Sequence, residues 1–178
     1  MRLFSIIAAF AVVMLAMPAD AHGPTRQKVV IKTTVAASPA EVWAAIGDFQ
    51  DMSWHPAVAK TTGDNGNTID ATRVLRLGAE DGPEIKEVLY KFSDEKMSYS
   101  YRITDVKVEV LPVTNYSSHL TVRPTENGSE IEWKGAFYRG YPNNDPPPEL
   151  NDEAAIKAVT GVYEAGLAAL REKFGALN

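Results

Sequence analysis

Trp54, His55 and Pro56 carry the most chemical potential in the chain. An imidazole titrates near neutral pH, so it can accept a proton or contact a ligand, and the neighbouring indole offers a flat apolar wall. The same three residues also read as a surface turn whose tryptophan packs on the preceding helix. A second group is aromatic. Tyr90, Tyr99, Tyr101, Tyr116 and Trp133 fall on strand faces with large apolar neighbours, and Tyr163 lies on the apolar stripe of the last helix. Rings with one polar tip can line a pocket and orient a ligand, or can simply fill a core. The residues expected to contact a ligand are Trp54, His55, Tyr90, Tyr99, Tyr101, Trp133 and Tyr163. Glu87 and Glu132 count to the opposite strand face, where a solvated carboxylate is expected.

Several chemistries are excluded. The chain has no cysteine, hence no thiol nucleophile, no disulfide and no Cys-x-x-Cys-His site for haem. It has no His-x-x-x-His pair and no glycine-rich phosphate loop. Ser117, Ser118 and His119 are successive strand residues pointing to alternate faces, so they cannot form a triad. His119 alternates against Leu120 and Val122 and should face outward. No catalytic residue and no cofactor is therefore assigned. The net charge of −5 is spread among interspersed acids and bases. That pattern lacks the basic face of a nucleic-acid binder and the polybasic segment that attaches to anionic membranes.

The first residues read as an export signal. Arg2 precedes an apolar run from Leu3 to Met17, and Ala19-Asp20-Ala21 supplies a small-x-small cleavage pattern. Cleavage after Ala21 would leave residues 22–178 as one domain with no stable membrane anchor. Export without disulfides points to a bacterial periplasm reached by the general secretory route. The new terminus, His22, would join an α-amine to an imidazole, a weak candidate chelate for copper or nickel; a frayed terminus is the plainer reading. No other metal site is expected.

The elements that must position these residues follow from periodicity. Gln27 to Val35 alternates as a strand. Ser38-Pro39-Ala40-Glu41 is a capping box with proline in the first turn. Val42, Ala45, Ile46 and Phe49 then recur at helical spacing, and Phe49 to Trp54 reads as a second short helix or turn. Strands are expected at Val58–Thr62, Thr68–Leu77, Glu84–Ser93, Ser98–Asp105, Tyr116–Pro124 and Ser129–Arg139, with Val88, Tyr90 and Phe92 alternating on one face. Tyr141 to Glu149, with Pro146, Pro147 and Pro148, is a stiff loop: a docking surface with Tyr138 and Tyr141, or a spacer. Asn151 to Phe174 is one amphipathic helix about 36 Å long. Gly161, Gly166 and several alanines lower its side-chain volume, which fits either a hollow beneath it or close helix–sheet packing. The architecture is α+β: a seven-stranded curved antiparallel sheet around a long C-terminal helix, with two short helices after the first strand.

This order of elements, with the opening Ser38-Pro39-Ala40-Glu41-Val42-Trp43, resembles the SRPBCC superfamily, which includes START domains, Bet v 1-like allergens and polyketide cyclase/dehydrase-like proteins. Asp48 to Pro56 (DFQDMSWHP) is similar to the segment after the first helix in the cyclase-like branch. The resemblance spans about Gln27 to Phe174 and implies a helix-grip fold with an apolar cavity. The signal segment, Ala21-His22-Gly23-Pro24-Thr25 and the Trp-His-Pro turn together resemble the periplasmic MxaD-like proteins of methanol-oxidation clusters. That resemblance implies a periplasmic, non-catalytic accessory protein assisting a methanol dehydrogenase–cytochrome system, with a dehydrogenase or cytochrome as partner. A carrier of a small hydrophobic ligand or lipid, and a cyclase- or hydrolase-type enzyme, are the alternatives.

Overall fold

A computed structural model describes residues 23–177. The expected signal segment, its cleavage point at Ala21 and the candidate chelate His22 lie outside the described residues. Seven strands, β1 (Gln27–Val35), β2 (Val58–Asp64), β3 (Thr72–Leu77), β4 (Glu84–Ser93), β5 (Ser98–Val106), β6 (Val113–Thr125) and β7 (Gly128–Arg139), form one sheet. Every pairing is antiparallel, in the order β1-β7-β6-β5-β4-β3-β2. The helix α1 (Pro39–Ile46) follows β1, and α2 (Asp152–Phe174) crosses β1 and β7 on the inner face of the sheet. This is the helix-grip architecture that the element order called for.

Local chemistry sets the ends of the helices. Ser38 caps α1: its hydroxyl accepts the Glu41 N–H, while the Glu41 carboxylate accepts the Ser38 N–H at 2.9 Å. Asn151 caps α2 by accepting the Ala154 N–H at 2.8 Å. Acidic residues fill the first turn of α2 and basic ones the last, as the helix dipole favours. Beyond α2 the chain folds back, so that the Ala36 N–H donates to the Gly175 carbonyl and Val35 bridges Ala176.

Three expectations are corrected. Phe49 to Trp54 is a series of turns, leaving one short helix after β1. The carboxylates of Asp48 and Asp51 accept the N–H of Gln50 and Ser53, both at 2.8 Å, and this local bonding competes with a helical ladder. The third strand begins at Thr72 rather than Thr68, because Asn65 and Asp70 adopt positive φ and hold the intervening residues in turns. The third correction is functional. A register shift between Leu89 and Lys91 makes Tyr90 an extra residue in β4. Tyr90 therefore lies half-buried on the outer face, beside Lys28, Val30 and Lys134, and Phe92 returns inward. With Tyr90 outside, the inward residues are Ile85, Glu87 and Leu89. Glu87 is not a solvated carboxylate but only 4% exposed.

Candidate functional site

The inner sheet face and α2 enclose a row of aromatic rings. Trp133 on β7 stacks on Tyr163 of α2, with centroids 4.4 Å apart, and meets Trp54 and His55 at 5.5 and 5.9 Å. Gly166 makes this possible: a Cβ there would lie 2.7 Å from His55 Cδ2 and 2.9 Å from Trp133 Cζ3. The expected hollow beneath the glycines of α2 is thus filled at Gly166 by rings, while Gly161 faces solvent. Gly135 plays a matching part on β7, giving the Tyr163 hydroxyl room against the sheet. That hydroxyl bonds Tyr116 Oη at 2.6 Å and Ser118 Oγ at 3.0 Å. The Trp133 indole N–H donates to Ser118 Oγ at 2.9 Å and Tyr101 Oη at 3.1 Å. Burial raises the Tyr101, Tyr116 and Tyr163 phenols above their ordinary range, so this network is made of neutral hydroxyls.

Beside the rings lies a cavity of about 90 Å³, walled by Met52, Val58, Leu75, Ile85, Ile103 and Val162, with His55, Glu87, Tyr101, Tyr116 and Trp133 supplying its polar or aromatic atoms. Of the seven residues expected to contact a ligand, His55, Tyr101 and Trp133 line it. Trp54 packs behind His55, Tyr163 behind Trp133, and Tyr99 against Trp43 and Phe49. Tyr90 is on the other side of the sheet. The cavity holds the volume of about three liquid waters, against the roughly 300–1,000 Å³ of sites for drug-sized ligands.

Two buried charges were missed in reading the sequence: Glu87, which lines the cavity, and Arg73, which does not line it but is bonded to Glu87. Arg73 on β3 and Glu87 on β4 are directly paired in register. Arg73 Nε donates to Glu87 Oε2 at 2.6 Å and Nη1 to the Phe49 carbonyl at 2.9 Å, while Nη2 is buried without a partner. The guanidinium lies between the Phe49 and Tyr101 rings, 4.2 and 4.9 Å from their centroids. Burial pushes the Glu87 carboxyl up and the guanidinium opposes that shift; the carboxylate in turn holds Arg73 firmly protonated. The signal was present in the alternation, since Arg73 shares a face with Leu75 and Leu77, and Glu87 with Ile85 and Leu89.

His55 is 2% exposed and fully engaged. Its Nδ1 accepts the Ala57 N–H at 3.2 Å, which assigns the proton to Nε2, and Nε2 donates to the Val162 carbonyl at 2.9 Å. Burial lowers its pKa, and nearby Arg73 adds to this. His119 lies on the outer face between Ser100 and Thr121, each bonded at 2.7 Å, and burial lowers its pKa too. Both histidines bind a proton less readily folded than unfolded. Their contribution to stability is therefore present above the unfolded value of about 6.5 and is lost as pH falls from there toward the folded values. Denaturant titrations should give a lower unfolding free energy at about pH 5.5 than at 7.5. Glu87 titrates with the opposite sign in every variant, so a flatter pH slope in His55→Asn and in His119→Asn isolates the histidines. An unchanged slope in both would contradict the assignment.

The fold has relatives among solved structures. A Bacillus cereus protein named XoxI is 31% identical, with a TM-score of 0.68, over 83% of this chain and 94% of that one. A Thermobifida fusca protein is 30% identical, with a TM-score of 0.66, over 83% and 93%. Norcoclaurine synthase from Thalictrum flavum, solved with dopamine and hydroxybenzaldehyde, is 14% identical with a TM-score of 0.59 over 97% and 94%, a likeness of fold alone. No curated protein matches the chain. The family described as polyketide cyclase / dehydrase and lipid transport matches residues 26–175, which is nearly the whole described chain, and the protein belongs to that family.

Proposed function

We propose that this protein is a non-catalytic binding protein that holds one small hydrophobic ligand between α2 and the inner face of the sheet. The engagement of His55 carries this reading: the histidine of the cavity wall spends both ring nitrogens on backbone groups, leaving no free base to move a substrate proton. The one carboxyl of the wall, Glu87, gives one oxygen to Arg73, whose charge opposes its protonation. A 90 Å³ space is too small for a lipid chain, which favours a compact ligand over a lipid carrier's cargo.

The proposal extends to place and partner. Arg2, the apolar run and Ala19-Asp20-Ala21 support export to a periplasm, and the resemblance of that segment, Ala21-His22-Gly23-Pro24-Thr25 and the Trp54-His55-Pro56 turn to the MxaD-like proteins supports an accessory role beside a methanol dehydrogenase and its cytochrome. Native mass spectrometry of protein isolated gently from its own cells tests all of this together. The expected species is the chain of residues 22–178 carrying a small adduct that leaves on activation. A bare chain in complex with a much larger dehydrogenase or cytochrome would keep the accessory role and remove the ligand. A bare, solitary chain would overturn both.

A further inference from the structure

Glu87 limits what the cavity can hold. Its Oε2 takes the Arg73 N–H, while no donor among the described residues reaches its other oxygen, and the residue lines the cavity. Diagonal to it on β5, Tyr101 also lines the cavity. The Tyr101 oxygen accepts from Trp133, and its own hydrogen has no acceptor among the described residues. The wall thus presents one unsatisfied acceptor next to one unsatisfied donor in otherwise apolar surroundings. A hydroxyl answers both, because it donates one hydrogen and accepts through its lone pairs.

Charge narrows the class. Arg73 and Glu87 already cancel, so an ammonium would leave an uncompensated buried cation, and a carboxylate would sit against Glu87. A carbonyl compound would satisfy Tyr101 and leave Glu87 unmet. Size narrows it again: an apolar cavity of about 150 Å³ takes benzene, so 90 Å³ takes something smaller. We infer that the ligand is a small neutral alcohol of about four or five heavy atoms, its hydroxyl donating to Glu87 and accepting from Tyr101, and its alkyl body against Leu75, Ile85 and Ile103. This rests on the cavity-binding reading above.

The test is a methyl NMR titration of the full mature chain, following Met52, Leu75, Ile85, Ile103 and Leu111, with isobutanol, isobutane, isobutylammonium and isobutyrate near pH 7. Isobutanol is expected to bind about tenfold or more tighter than isobutane, the increment of a hydrogen bond to a charged acceptor, with no saturable shift from either ion. The paired variant Arg73→Met/Glu87→Leu removes the acceptor together with its counter-charge and should bring isobutanol and isobutane to similar affinity. Tyr101→Phe should weaken isobutanol alone. Equal binding of isobutanol and isobutane to the wild type would overturn the alcohol assignment while leaving the cavity reading intact, as would preferential binding of isobutylammonium. No cavity shift with any of the four would overturn both.

Discussion

Arg73→Met is expected to lower the unfolding free energy by about 3–5 kcal/mol, the usual cost of stranding one member of a buried ion pair. Arg73 and Glu87 are both almost fully buried, and methionine fills the space between the Phe49 and Tyr101 rings without supplying a charge. What remains is a carboxylate in an apolar wall with no guanidinium beside it. Because the loss lies in the stranded charge, adding Glu87→Leu should recover most of it, and the double variant should unfold within about 1–2 kcal/mol of the wild type. Denaturant unfolding of the two single variants and the double one closes the cycle. If the double variant is as unstable as Arg73→Met, the pair is not the source of the loss, and the bond from Arg73 to the Phe49 carbonyl becomes the better explanation.

Trp133→Ala should be comparably damaging, at about 3–5 kcal/mol. The indole is 2% exposed and stacks on Tyr163; it also contacts Trp54 and His55 and holds the Tyr101 and Ser118 hydroxyls. Its removal would merge the vacated space with the adjoining cavity, to a size that takes an aromatic ring. Benzene should then raise the melting temperature of Trp133→Ala and leave that of the wild type unchanged. A loss below about 1.5 kcal/mol, or no response to benzene, would mean that α2 settles onto the sheet and closes the gap.

Much of the scaffold was legible in the sequence, for identifiable reasons. Strands with one apolar and one polar face give themselves away by alternation: Ile131, Trp133, Gly135 and Phe137 on β7, and Tyr116, Ser118, Leu120 and Val122 on β6, all point inward as their spacing requires. The capping box marks the start of α1, and the proline-rich stretch after Arg139 keeps the chain out of the sheet until α2 begins. The site was less legible because alternation assumes an unbroken strand. Counting from Phe92 through Tyr90 to Val88 crosses the extra residue at Tyr90 and inverts everything before it, which sent Glu87 to solvent and Tyr90 to the cavity. Composition reinforced the error, since a carboxylate is rarely buried unless paired, and its partner Arg73 lies on another strand, fourteen residues away. Trp54, Tyr99 and Tyr163 are buried, but residue type cannot separate the ring that lines a cavity from the ring behind it.

The strand order also governs when the sheet can be completed. From β2 to β7 each strand pairs with its neighbour in the chain, so those hairpins can form as soon as both arms exist. β1 is different: Gln27 pairs with Phe137 and Val35 with Ser129, closing a loop of roughly a hundred residues. In a chain that emerges from its N-terminal end, β1 appears first and waits longest. Throughout that interval Val29, Ile31 and Val35 and the strand's unpaired edge are uncovered, so the segment made earliest is the one most open to pairing with another copy of itself.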